Sequence, residues 1–317
     1  MDTVSSIFAP VSTPAHTIKT LAVLVLIMSA GVFLLVAGML TYSVVRFRAR
    51  HGEEGQEPPQ IYGSGPVEAA WTVVPFIIVF VLSLATARTI YTIQAAPKPA
   101  NALEVTVVGR QWWWEIRYPK LGIVSANEIH LPVSDSTRRR ATFLRLESAD
   151  VAHSFWLPRL AGKTDLIPGK ENSMWVEPFR PGVYLGQCAE YCGTQHANML
   201  LRAVVESPDE FERWVKAQQQ PAVEDRSVAA GRRVFMTTAC VNCHAVRGTM
   251  ANGLFGPDLT HLMSRATLGA GVIPNTKEKL HAWIRNPGEF KPGVLMPAMQ
   301  LNNQELDQLV AYMATLR

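Results

Sequence analysis

At 317 residues the chain is too long for one ordinary domain, and two or three units are expected. The formal charge of +4 gathers into no basic run beyond Arg138-Arg139-Arg140, read as a solvated loop, so nucleic-acid binding has little support. Four cysteines fall into two short motifs, which leaves none for a structural disulfide and points to chemistry instead.

From Leu21 to Val45 run 25 residues without a charge, and at about 1.5 Å per residue they outreach a hydrocarbon core of about 30 Å. A second uncharged run, Ala69 to Ala87, has 19 residues and also suffices to span, with Pro75 tolerated near its start. A two-helix transmembrane hairpin is predicted. The first run is too long for the apolar part of a signal peptide, and no clear small-residue cleavage site follows it. Arg46, Arg48 and Arg50, then the polar run from Gly52 to Gln60, fit a cytoplasmic loop. Lys19, Arg88 and Lys98 at the other ends nearly balance them, so charge alone leaves the orientation open.

The stretch Ala95-Ala96-Pro97-Lys98-Pro99 reads as a linker. Beyond it come β-branched and aromatic runs at Leu103 to Val108, Thr142 to Glu147, Ser173 to Val176 and Leu200 to Val205, separated by turns such as Ile167-Pro168-Gly169. This spacing predicts a β-sandwich. A short helix from Pro208 to Gln218 then leads to the polar break Gln218-Gln219-Gln220-Pro221. The expected units are residues 1–97, 98–220 and 221–317.

Between the last strands lies the stretch from Gly186 to Met199, where Cys188, Cys192, His196 and Met199 recur at steps of four, four and three residues. Sulfur and imidazole together favour copper or zinc over magnesium or calcium. Zinc would fill its four places with Cys or His, so Met199 tilts the reading to copper. His153 offers a second imidazole from upstream. Two cysteines four apart could bridge both atoms of a copper pair, each copper taking one His and one weaker ligand. The alternative is a Cys188–Cys192 disulfide beside a surface histidine.

These residues resemble the binuclear copper (CuA) centre of cytochrome c oxidase subunit II. The likeness extends through Gly109-Arg110-Gln111-Trp112-Trp113-Trp114, Lys163 to Gly169 and Pro181 to Cys188, and so covers most of residues 1–206. It implies a cupredoxin sandwich, with Cys188 and Cys192 as bridging thiolates and His153, His196, Met199 and the Glu190 carbonyl completing the site. It implies the Glu190 side chain as a magnesium ligand at the contact with the catalytic subunit, and Trp112 as the electron entry; Trp113 and Trp114 are read as ordinary buried core tryptophans. Glu68 matches a carboxylate at the mouth of a proton pathway; the alternative is an interfacial anchor.

Val228 to Thr237 opens a helical unit and ends in Cys240-Val241-Asn242-Cys243-His244, the attachment signature of c-type haem. Cys240 and Cys243 would form the thioethers and His244 would bind the iron. Met296, in a stretch resembling the Met-Pro loop of class I cytochromes c, is the expected sixth ligand, with Met299, Met263 and His281 as rivals. A helix from Leu301 to Leu316 closes the unit, apolar at Leu306, Leu309, Val310 and Met313. Because c-type haem is attached outside the bacterial cytoplasmic membrane, the copper and haem units are placed on the outer, periplasmic side.

The resemblance therefore implies the electron-transfer subunit of a proton-translocating haem-copper terminal oxidase, embedded in membrane lipid, with the haem feeding the copper. Tethering would keep the local donor concentration high. No several-histidine cluster lies in the apolar helices, so oxygen reduction is expected on a separate subunit I. An upstream donor such as a cytochrome c or a quinol-oxidising complex is implied, although the mixed signs of Glu115 to Lys120 depart from the expected acidic docking face. Rival readings are the electron-accepting subunit of a nitric or nitrous oxide reductase and a membrane-anchored copper carrier. The hairpin, Glu68 and the haem unit disfavour the first; His196, Met199 and the haem unit disfavour the second.

Overall fold

A computed structural model describes residues 6–48, 55, 57, 59–95, 98, 102–134 and 141–317. Arg138-Arg139-Arg140, Arg50, most of the polar run from Gly52 to Gln60, and part of the Pro-containing linker lie outside them. The chain divides into two compact units, one of residues 17–97 and one of residues 1–16 with 98–317.

Helices α1 (Thr13–Arg46) and α2 (Gly65–Gln94) are both long and apolar enough to cross a membrane. Both are apolar around most of their circumference and exposed along it, as lipid-facing helices are. Pro75 sits inside α2 without ending it.

Ten strands build the sandwich: β1 (Leu103–Arg110), β2 (Trp113–Tyr118), β3 (Ile123–Ala126), β4 (Glu128–Pro132), β5 (Thr142–Ser148), β6 (His153–Trp156), β7 (Thr164–Leu166), β8 (Asn172–Val176), β9 (Gly182–Cys188) and β10 (Leu200–Glu206). One sheet has the order β3-β2-β1-β5-β8 and the other β4-β10-β9-β6-β7. Val107, Trp114, Ile116, Leu144, Leu146 and Phe155 are fully buried in the core. Burying side chains of this size stabilises the fold by about 1.5–3 kcal/mol each. Residues ahead of α1 also join the sandwich: the Val11 amide donates to the Arg159 carbonyl at 2.8 Å, and Val11 is buried.

Helix α3 (Pro208–Gln218) begins with a capping box, in which Ser207 and Glu210 satisfy each other's backbone amides. The helical unit that follows comprises α4 (Ala229–Thr237), α5 (Cys240–Cys243), α6 (Lys277–Arg285) and α7 (Asn303–Met313). Leu306, Leu309, Val310 and Met313 all face its core. At the α4–α7 crossing only glycine fits at position 231, where a Cβ would lie 1.8 Å from the Gln308 carbonyl oxygen.

The break at Gln218–Pro221 is held, not loose. Gln218 is buried, its amide nitrogen donates to Ser264 Oγ at 3.1 Å, and the Arg247 guanidinium donates to the carbonyls of Gly122, Gln218 and Gln220. The helical unit thus packs on the sandwich along a seam. There the Leu200 amide donates to the Ala270 carbonyl at 3.0 Å, and buried Glu128 accepts from the amides of Ala266 and Thr267 at 2.8 and 3.2 Å.

Candidate metal centre

The loop between β9 and β10 is closed at its base by the Cys188 amide donating to the Met199 carbonyl at 2.9 Å, and tied to β6 by the Ala189 amide donating to Ser154 at 2.9 Å. These bonds bring the spaced residues of the loop against His153. The Cys188 and Cys192 sulfurs lie 3.8 Å apart, both as free thiols, and a disulfide would need about 2.05 Å. Cys188 Sγ has His153 Nδ1 at 3.9 Å and the Glu190 carbonyl oxygen at 3.2 Å. Cys192 Sγ has His196 Nδ1 at 3.7 Å and Met199 Sδ at 3.8 Å. Each sulfur is thus flanked by one imidazole and one weaker donor, all turned inward. His153, Cys188, Cys192 and Met199 are buried, and His196 is half-buried.

The two thiols titrate as a pair: the contact with Cys192 lowers Cys188 well below the usual thiol range, and the same contact together with burial raises Cys192. A donor set of two thiols, two imidazoles, a thioether and a carbonyl, with one thiol already favouring its thiolate, fits a soft metal.

The surroundings fix the imidazole. Asp150 Oδ1 lies 2.8 Å from His153 Nε2, which leaves Nδ1 for the site. Burial opposes a charged His153 ring, but the Asp150 bond, helped by Cys188, outweighs it and raises the basicity of the ring. A Cβ at Gly109 would come within 2.7 Å of the His153 ring, so the strand passes behind the imidazole only as glycine.

Trp112 sits between β1 and β2 with its indole N–H donating to the Cys192 carbonyl at 2.9 Å; Gln111 Nε2 donates to the same oxygen at 2.8 Å. The indole packs over Gly193, whose φ of 113° suits glycine. Trp112 is only 8% exposed. Trp114 is core, while Trp113 is half-buried with the Arg110 guanidinium over its ring. The Glu190 side chain points outward and accepts from the Tyr191 amide at 3.2 Å. Glu68 caps the first turn of α2 by accepting from the Ser64 amide at 3.2 Å.

In the helical unit Cys240 and Cys243 end the single turn of α5, with His244 following. His244 Nδ1 donates to the Pro257 carbonyl at 2.7 Å, which leaves Nε2 as the nitrogen that could bind iron. Burial pulls the His244 ring below the usual histidine range. Gly256 lies against the ring, where a Cβ would come within 2.5 Å of Cε1. These features fit haem attachment. Met296 is half-buried in the turn-rich stretch before α7; the rival His281 pairs with Asp307 at 3.1 Å.

Asp150, Gln111 and Lys291 escape sequence reasoning. Asp150 stands three residues before His153, a spacing that could have flagged it. Lys291 carries no such signal. It is 2% exposed, and its ammonium donates to the carbonyls of Trp112 at 2.7 Å, Asn198 at 2.8 Å and Gly269 at 3.1 Å. Burial pulls the ammonium down to about 7, against the opposing field of Cys192.

Two helices long and apolar enough to cross a membrane, a sandwich with a buried thiol–imidazole–thioether cluster and a Cys-x-x-Cys-His helical unit fit the class of membrane-bound electron-transfer metalloproteins. Comparison with known proteins narrows the class: the chain belongs to the cytochrome c oxidase subunit II family. Family models match at residues 4–88 (cytochrome c oxidase subunit II, transmembrane domain), 124–207 (cytochrome c oxidase subunit II, periplasmic domain) and 228–317 (cytochrome c). Cytochrome c oxidase subunit 2 of Alkalihalophilus pseudofirmus is 33% identical over 302 residues, covering 93% of this chain and 86% of the relative. That of Bacillus sp. strain PS3 is 31% identical, covering 86% and 80%. Among solved structures, the periplasmic domain of subunit II of cytochrome oxidase of Bradyrhizobium japonicum is 30% identical, covering 39% of this chain and 96% of that one, with a TM-score of 0.35. The chain is thus subunit II of a haem-copper terminal oxidase, an oxidoreductase, with two membrane spans, a cupredoxin domain and a cytochrome c domain.

Proposed function

We propose that this subunit takes electrons from its own covalent c-type haem into a binuclear copper centre and hands them to subunit I, where oxygen is reduced to water. Cys240 and Cys243 would hold the haem with His244 and Met296 as axial ligands. His153, Cys188, Cys192, His196, Met199 and the Glu190 carbonyl would hold the copper pair. When bound, the two cofactors supply reversible one-electron chemistry. The protein does the rest by position: Asp150 orients His153, the closed loop base presents both sulfurs together, and burial excludes water from the cluster.

The observation that carries this reading is Trp112. Its indole donates to the copper-loop carbonyl of Cys192, and its own carbonyl accepts from Lys291 of the haem unit. One residue therefore touches both sides. Rapid photochemical reduction of the haem in the whole oxidase, followed by the copper absorbance, tests it. Trp112→Leu should keep copper and haem contents while slowing copper reduction, and a wild-type rate in folded, fully metallated protein would reject the route. Folding must be checked alongside, because truncating a buried aromatic can cost about 3–5 kcal/mol.

The same reading places the copper and haem units on the outer side of the bacterial membrane. It gives the exposed Glu190 carboxylate to a magnesium ion shared with subunit I, and Glu68 to the entrance of a proton path. An upstream donor, a cytochrome c or a quinol-oxidising complex, would reduce the haem.

A further inference from the structure

Most lysines that follow a turn point to water; Lys291 does not. Its ammonium has three donor hydrogens, and the structure supplies three carbonyl acceptors, from Trp112, Asn198 and Gly269. The acceptors come from three separate segments. Trp112 lies in the β1–β2 turn over the copper loop, Asn198 stands between His196 and Met199, and Gly269 belongs to the helical unit. Next to Lys291, the Pro292 carbonyl accepts from buried Gln195 of the copper loop. Burying a cation is costly unless it is fully hydrogen-bonded, so such a cradle is a strong geometric constraint. Elsewhere on the seam the Glu128 carboxylate accepts from Ala266 and Thr267 of the helical unit.

We propose that Lys291 is a positioning residue for electron transfer between the two cofactor sites, holding the haem-side loop, the Trp112 turn and the copper loop at one fixed spacing. The inference rests on the haem-to-copper route proposed above. In the step it serves, one electron leaves the reduced haem and one is gained at the copper pair; Lys291 is neither oxidised nor reduced. Its contribution is the fixed separation.

The test uses the whole oxidase. Lys291→Met keeps the unbranched stem, one atom shorter, and removes the cradle. Copper and haem contents should remain at wild-type levels, and haem-to-copper transfer after photoreduction should slow at least tenfold. Direct reduction of the copper by dithionite should proceed as in wild type. Lys291→Arg, which keeps several hydrogen-bond donors, should restore part of the rate. In metal-free protein, hydrogen exchange at the Leu200 amide, which crosses the seam, should speed up in Lys291→Met.

Wild-type transfer in folded, metallated Lys291→Met overturns the proposal, as does equal slowing of transfer and of dithionite reduction. Should Lys291→Met lose its cofactors, Lys291→Arg alone decides, because its planar fork cannot meet all three carbonyls: an unchanged transfer rate and unchanged Leu200 exchange there overturn it. The wild-type trace tests the route itself, since a haem that fails to reduce the copper at all rejects that reading and not the role of the lysine.

Discussion

Asp150 holds His153 by its far nitrogen, with Oδ1 and Nε2 2.8 Å apart, so the near nitrogen, Nδ1, is the one left facing the Cys188 sulfur. The carboxylate is itself fixed by the Gln111 and Val151 amides at 2.6 and 2.7 Å. Losing such an outer partner typically costs about 10–100-fold in metal affinity. Asp150→Ala should therefore weaken copper binding within that range, read by competition against a chelator of known affinity. Asp150→Asn, which can still hydrogen-bond the ring, should lose less.

Removing one sulfur tests the pair. Cys192→Ser should abolish the binuclear centre outright, because the proposed pair draws on both thiolates. Electron paramagnetic resonance of the wild type should show a spectrum shared over two coppers at a stoichiometry of two. A single-copper hyperfine pattern would count against the assignment.

At the haem, thioether ligation suits an electron carrier. Met296→Ala should erase the weak sulfur-to-iron band at the red end of the ferric spectrum, while Met299→Ala should leave it. The reverse result would move the ligand three residues down the chain.

Acid titration has a defined target in Glu104, which lies 2.7 Å from Lys120 and 2.9 Å from Lys98. The Lys120 contact, then that of Lys98, lowers its carboxyl from 4.5 to about 2. A depressed folded value means that the stabilisation is fully present above pH 4.5 and is lost as pH falls through about 2. Nuclear magnetic resonance should find the Glu104 inflection near the lower value, and Lys120→Ala should raise it.

Much of this architecture is written in local patterns. The spans inside α1 and α2 follow from uninterrupted apolar length, α3 from Ser207 and Glu210 around Pro208, and β1, β5 and β10 from their β-branched runs. Strands β6 and β7 are four and three residues long and carry polar ligand or turn residues, so periodicity has nothing to act on. The thiol, imidazole and thioether cluster was legible because its spacing is chemical. The seam was not: Lys291 stands before Pro292 and Gly293, where a lysine ordinarily meets solvent. Its acceptors are backbone carbonyls, which leave no trace in residue identity. Gln218–Pro221 likewise has the composition of a free linker and is pinned by Arg247.

Separate redox proteins must first find each other, and charge attraction during that search makes their rates fall with ionic strength. The seam removes the search. Its polar contacts, at Lys291 and Glu128, are 2% and 3% exposed, where salt screens little. Passage between the haem unit and the copper loop should therefore be first order, independent of protein concentration and flat from low to high salt, while any delivery of electrons from outside keeps the salt dependence of a bimolecular encounter.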